Sequence, residues 1–508
     1  MTPAAEFFAA RTGEPSARIG DSHIHSRFDP SREADRFLES QITTTPGTLL
    51  VLGPGLGYLL RAARAAYPAC RLVAIAYTRA YSGRTVATAD DSWYPDGPQS
   101  LRNFLRSVLS EDQIDGLAMI EWGPSASMFP AVSRTVNDCV AAVVRELSSS
   151  LATTGYFGRR WFTNAVANAV SIREVHDHLS MSGTVVIAAS GPTLERATPV
   201  LIASRDSIGL IALPSAVRPL LEHGIVPDAV VATDPGVYAA VHLAPLSRIS
   251  GVPVIMPLTG IRGVWRTGSP AILFSQMSFL ESAFHGAIEP AVVVPSHGTV
   301  AGSAYHVAVA AGADRIVFAG LDMAAHDVKM HARPESFEGL LSMNENRLQT
   351  AEGIRLERVL GSVRGPNRSR VTPSMDVYAA WFRETRLRAA RLFPSPIDLG
   401  IPDCTPDDLT TGPRGSIQIS ARRRLAPTRR RVMEILRTWR AELIEARDTD
   451  PLPPVARELV RIIEMPLWLT ARRSVRAGDT DAGRTAVIHA CDAAARFVAD
   501  CIDRLESQ

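Results

Sequence analysis

Two histidines, His326 and His331, follow closely on the tripeptide Gly320-Leu321-Asp322. An imidazole titrates near neutral pH, so either ring can take a proton from a hydroxyl or give one to a leaving group. His297, further upstream, offers the same chemistry. Lys329 and Arg333 stand beside the pair and suit a phosphate or a carboxylate. Asp234 ends an apolar run that begins after Pro227-Asp228; its carboxylate can accept from sugar hydroxyls, ligate a metal, or simply cap a turn. Asp322 can contact a ligand or tie down its own loop. Two small-residue turns complete the set. Ser190-Gly191-Pro192-Thr193 and Gly298-Thr299-Val300, running on to Gly302 and Ser303, each precede a helical pattern. A helix N-terminus presents unbonded amides and the positive end of the dipole, which suits a phosphate. Thr193 can cap its helix or donate to a phosphate oxygen. Gly302 and Ser303 allow backbone to approach a ligand or a sheet closely.

These residues need a sheet edge to converge on. Between Thr184 and Asp327 the runs TVVIAAS, SIGLIALP, AVVATD, PVIMPL, AILFSQ, AVVVPS and RIVFAG are short, apolar and without polar alternation. Such runs predict parallel strands covered on both faces. Their ends, at Ser190, Asp234 and Asp322, then share the carboxyl edge, where open α/β sheets bind ligands. An earlier stretch, TLLVLGPGLGYLLRAARAAYPACRLVAIAY, reads as strand, Gly-rich turn, helix and strand, with IDGLAMIE as a later strand of the same sheet. Gly53, Gly55 and Gly57 mimic a nucleotide-binding turn. The next strand ends without the Asp or Glu that holds a ribose, so this turn is read as architectural. The helix VSRTVNDCVAAVVRELSSSL follows, and Gly155–Leu179 reads as a separate connecting helix. After Asp327 two polar, turn-rich stretches predict loops flanking the site. From about Ser416 the chain reads as helical, with a basic cluster ARRR…TRRR that suits a solvated face better than an anionic partner.

The whole chain has 508 residues, 46% hydrophobic and 21% charged, with net charge +2. This is a globular composition with no pull toward nucleic acid. The cysteines, Cys70, Cys139, Cys404, Cys491 and Cys501, are scattered and odd in number, which predicts reduced thiols and no cysteine metal site. No apolar run predicts a signal peptide or a membrane span. A cytoplasmic location is expected.

The ordered motifs ASGPTL, LLEHGIVPDAVVATDP and IVFAGLDMAAHD…KMHARPESFE resemble the motility-associated factor (Maf) glycosyltransferases. Their central domain is shared with 6-hydroxymethylpterin diphosphokinase MptE-like proteins. HSRFDPSREADRF…LLVLGPGLGY, FGRRWFTNAVANAV and VTPSMDVYAAWFRE extend the resemblance over about residues 20–395. The central block is also similar to bacterial sialyltransferases. Gly191-Pro192-Thr193-Leu194 resembles their nucleotide turn, with Thr193 in the serine place. His297-Gly298-Thr299-Val300 approximates their second turn in a different order, and Gly320-Leu321-Asp322 matches their strand end.

The resemblance implies an α/β chain of three domains. A Rossmann-like N-terminal domain would cover 1–154 and a sialyltransferase-like (GT-A-like), mostly parallel catalytic domain 155–345. A connector and post-site helix would span 346–415, and a helical C-terminal domain 416–508. The implied activity is transfer of a nonulosonic acid, of pseudaminic or legionaminic type, from its CMP-sugar to Ser or Thr of flagellin. Flagellin would be the acceptor partner and the CMP-sugar the donor, with no firmly implied cofactor. His331 would be the general base, with His326 and Asp234 beside it. Ser190, Gly191, Pro192, Thr193, Gly298, Thr299, Ser303 and Asp322 would hold the donor. Two alternatives remain at this point: an MptE-like pterin diphosphokinase using ATP and Mg2+, with Asp234 and Asp322 on the metal, and a non-catalytic flagellin-binding scaffold.

Overall fold

The computed structural model describes residues 5–249, 251–264, 269–285, 288–385, 387–421, 423–425 and 428–507. The chain forms two compact units. One comprises 1–156 with 442–496, the other 157–441 with 497–508. The helices after residue 416 are therefore divided between the two. Each change of unit falls inside a helix.

In the first unit four parallel strands follow one another in the chain. They are β1 (Thr48–Leu52), β2 (Arg71–Ile75), β3 (Asp91–Trp93) and β4 (Leu117–Glu121), arranged β3-β2-β1-β4. Every residue of β1 is buried. Helix α1 (Tyr58–Ala66) follows the turn Gly53–Gly57, and all three glycines of that turn have positive φ. A Cβ on each would strike the protein itself: Ser125 Cβ at 2.6 Å from Gly53, His25 Nε2 at 2.6 Å from Gly55, and the Ala87 carbonyl at 2.6 Å from Gly57. The close approach that the glycines allow is thus made by the chain's own residues. His25 packs against the turn at Gly55, and Gly53, Gly55 and Gly57 also line a cavity with Ala74, Tyr77 and Ser125. The His25 Nε2 accepts the Leu56 amide at 2.9 Å, and its ring lies 4.9 Å from Tyr58 and 5.2 Å from Trp122. The carboxylate at this edge, Glu121, ends the neighbouring strand β4 and accepts from Tyr77, Ser133 and Asn137.

Burial pushes His25 down to about 3. A histidine depressed in the folded state takes up its proton first in the unfolded chain, so its stabilising effect is lost as pH falls below about 6.5. Between pH 7 and pH 5 this group is expected to remove about 2 kcal/mol from the first unit. His25→Asn should flatten that part of the pH–stability curve relative to wild type in urea unfolding. An identical slope in both proteins would refute the assignment.

Helix α2 (Pro130–Ser171) is a single 42-residue element. It merges the two helices read from the sequence, and the second does not reach Leu179. The chain instead turns into β5 (Glu174–His176), because Val175, almost fully buried, finds a pairing partner there.

The second unit continues with β6 (Thr184–Ala188), α3 (Leu194–Ala203), β7 (Gly209–Ala212), β8 (Ala229–Val231), α4 (Val237–Leu243), β9 (Val254–Met256) and β10 (Ala271–Ser275). It then runs through β11 (Val292–Val293), α5 (Val300–Ala310), β12 (Arg315–Ala319), β13 (Ala390–Leu392), β14 (Asp403–Cys404) and β15 (Arg423–Arg424). The seven apolar runs read as strands are β6 to β12. They join one eleven-stranded sheet of order β14-β13-β12-β6-β7-β8-β9-β10-β5-β15, with β11 beside β10. All its pairings are parallel except the edge strand β15 on β5. The first of the two stretches read as loops after Asp327 contains the helix Glu338–Asn344, and the second begins in the last turn of the helix Ala351–Leu360. Ser416–Ile419, read as helical, is a strand paired with Leu179–Ser182. In the basic cluster Arg423 pairs with Asp177 at 2.7 Å, while Arg422 lies outside the described residues.

Candidate active site

The sheet order fixes where a site can form. From β6 the strands run outward in chain order through β7 to β10 on one side, and β12 to β14 lie on the other. The connections thus diverge between β6 and β12, which opens a crevice at their carboxyl ends. The turn Ser190–Thr193 leaves β6 here, and Asp322 leaves β12.

The two are fastened to each other. The Gly191 amide donates to the Gly320 carbonyl at 2.8 Å, and the Thr193 amide donates to Asp322 Oδ2 at 2.8 Å. The Thr193 hydroxyl donates to Asp322 Oδ1. Thr193 makes no side-chain cap bond to its helix. Asp322 itself sits at the N-terminus of α3, and burial raises its pKa. Pro192 is half-buried at the corner of the turn. Glu195, in the first turn of α3, takes Lys329 Nζ at 2.9 Å and the Arg333 amide at 2.9 Å, drawing the following loop over the crevice.

That loop brings in His331. Its Nδ1 lies 2.9 Å from Ser190 Oγ, and the next amide, Ala332, donates to the Ser190 carbonyl at 2.7 Å. Ser190 Oγ in turn bonds Ser215 Oγ at 2.7 Å. Burial lowers the His331 pKa below the usual histidine range; Glu335 pulls it up and Arg358 pushes it down. Burial also holds His242, a charge neighbour of His331, at about 4.

The remaining sequence candidates are placed differently. His326 is exposed in a two-residue strand paired with Ser369–Val371, so it and His331 do not form a pair. Asp234 lies beyond β8 on the same carboxyl edge, where its Oδ1 accepts the Gly236 amide at 2.6 Å just before α4. Thr299 caps α5 by accepting from the Gly302 amide. Gly298 has open space around it, with no atom within 4 Å of an added Cβ. Gly302 instead leaves room for the His297 ring, which also packs on Trp381 at 3.7 Å. Ser303 is fully buried against Gln276. The small residues at 302 and 303 thus serve packing inside the unit. Among the described residues no group of three His, Cys, Asp or Glu could hold a metal ion. Ser215 and Glu335 were not singled out from the sequence, and no local motif marks them.

Residues 159–328 match the family described as 6-hydroxymethylpterin diphosphokinase MptE-like. A solved structure, the MAf glycosyltransferase from Magnetospirillum magneticum AMB-1, aligns over 100% of this chain and 94% of its own, with a TM-score of 0.61 at 13% identity. The chain has the Maf glycosyltransferase fold. An uncharacterized protein of Treponema pallidum (strain Nichols) is 28% identical over 241 residues, which is 47% of this chain. The match spans 53% of that relative's length. The MptE-like segment contains the Ser190–Thr193 turn, Asp234, Gly298, Thr299, Ser303, Asp322 and His326, and it ends just before His331. No described helix is long and apolar enough to cross a membrane.

Proposed function

We propose that this protein is a glycosyltransferase that moves a nonulosonic acid, of pseudaminic or legionaminic type, from its CMP-sugar to Ser or Thr of flagellin in the cytoplasm. The observation that carries the reading is the crevice between β6 and β12. A histidine kept neutral by burial is anchored there beside a rigid strand-to-helix turn. The Maf glycosyltransferase fold supports it. The donor would lie over the Ser190–Thr193 turn and reach toward the N-terminus of α5 at Gly298. In the reaction His331 takes the proton of the acceptor hydroxyl. The acceptor oxygen bonds the anomeric carbon as the carbon–oxygen bond to CMP breaks, and CMP leaves with the bonding pair. Neutral imidazole suits the base role. Flagellin incubated with CMP-pseudaminic or CMP-legionaminic acid should gain the mass of the sugar. Absence of both a gain in mass and binding of either donor would refute the proposal.

The MptE-like match supports a second reading, diphosphate transfer from ATP. That chemistry rests on Mg2+ held by carboxylates. Both Asp322 oxygens accept from Thr193 and Asp234 Oδ1 accepts from Gly236, and each carboxylate keeps lone pairs that could reach the ion. Release of AMP rather than CMP on turnover would favour the second reading.

A further inference from the structure

We propose that Ser190 and Ser215 are positioning residues that fix which ring nitrogen of His331 carries the proton. The proposal rests on His331 as the base and goes beyond it in giving Ser190 a task other than holding donor. A serine hydroxyl has one hydrogen and two acceptor sites. That of Ser190 donates to Ser215 Oγ at 2.7 Å. Its lone pairs therefore face His331 Nδ1 at 2.9 Å, which makes Nδ1 the donor. This contact places the neutral ring's proton on Nδ1 and leaves the Nε2 lone pair free, the form a base needs.

The chain Ser215–Ser190–His331 crosses three adjacent strand ends. Ser215 lies in the short helical turn Pro214–Ala216 after β7, Ser190 follows β6, and His331 lies in the loop after β12. No side chain in it is long or flexible, so the ring is held without loss of much conformational entropy. The charged and titratable groups around His331 are Glu335, Arg358 and His242, and none of these is part of the hydroxyl chain.

The test reads the tautomer directly. The full chain has 12 histidines. It is labelled with 15N-histidine, and His331 is assigned through His331→Gln. Long-range proton–nitrogen correlation at pH 7.5 should show a protonated Nδ1 and an unprotonated Nε2. Ser190→Ala and Ser215→Ala should move the ring toward the opposite tautomer, and Ser190→Thr should restore the wild-type spectrum. The same alanine variants should lose transfer kcat on the order of 10²-fold with little change in donor KM. Protonated Nε2 in the wild type overturns the proposal. So does an unchanged tautomer in Ser190→Ala with a raised donor KM, which would make Ser190 a donor ligand. The spectra need no sugar transfer. If His331→Gln keeps full activity, the base reading fails while the tautomer result stands by itself.

Discussion

His331→Gln should lower kcat for sugar transfer by about 10²–10⁴-fold, the usual contribution of a positioned general base, while donor affinity stays within a few-fold. The reason lies in what each neighbour of the ring does. Ser190 and the Ala332 amide hold the loop and the ring against the end of β6. Lys329 and the Arg333 amide hold the same loop to Glu195 without using His331. Glutamine can keep a polar contact to Ser190, so the loop survives, but it cannot accept a proton at neutral pH. The wild-type profile should follow from burial, which holds the ring's pKa below 6.5 against the upward pull of Glu335 and the Ser190 carbonyl and with the downward push of Arg358. Activity should therefore be flat through neutral pH. It should fall on the acid side only below the usual histidine range, as the ring charges. Initial rates of CMP release across pH give the limb. A variant that keeps wild-type rate and profile would remove His331 from the chemistry.

His326 shows why the sequence alone did not separate the two rings. It lies five residues before His331, in equally polar surroundings. What sets them apart is the pairing of Ala325–His326 with Ser369–Val371, 43 residues on from His326 to Ser369, which leaves one ring exposed. The same distance problem hides Ser215 and Glu335, which reach the site only through neighbouring strand ends. It also hides His25, which packs on the turn at Gly55 from about thirty residues upstream. The strands were legible because parallel strands covered on both faces must be apolar throughout. Ser190, Gly191 and Asp322 were legible for a related reason. A strand end at the crevice calls for small or acidic residues, and local sequence records that. The sequence breaks helix α2 between Leu151 and Gly155, where Ala152, Thr153 and Thr154 precede a glycine, yet such a run without proline can stay helical when its neighbours are.

The two glycines of the proposed donor cradle should behave oppositely when replaced. A methyl on Gly191 would sit 2.5 Å from Asp322 Oδ2 and 2.6 Å from the Gly320 carbonyl. The carbonyl belongs to backbone that also accepts the Gly191 amide, so it cannot move aside. Asp322 could swing away only by releasing Thr193, and its carboxylate would then be buried without those bonds. Overpacking of this kind costs about 1–3 kcal/mol, and an abandoned bond to a charged group roughly 1.5–3 kcal/mol more. Gly191→Ala should accordingly destabilise the central unit by several kcal/mol in urea unfolding, and shift the turn enough to abolish CMP-sugar binding in calorimetry. Gly298→Ala should leave stability within about 0.5 kcal/mol, since nothing lies within 4 Å of its added methyl. That open space gives the second substitution its value. With the fold intact, weakened donor binding in Gly298→Ala means the methyl meets the ligand at the N-terminus of α5. Unchanged binding there would confine the donor to the β6–β12 crevice. Wild-type stability in Gly191→Ala would contradict the fastening of the turn by Asp322, on which the whole site is built.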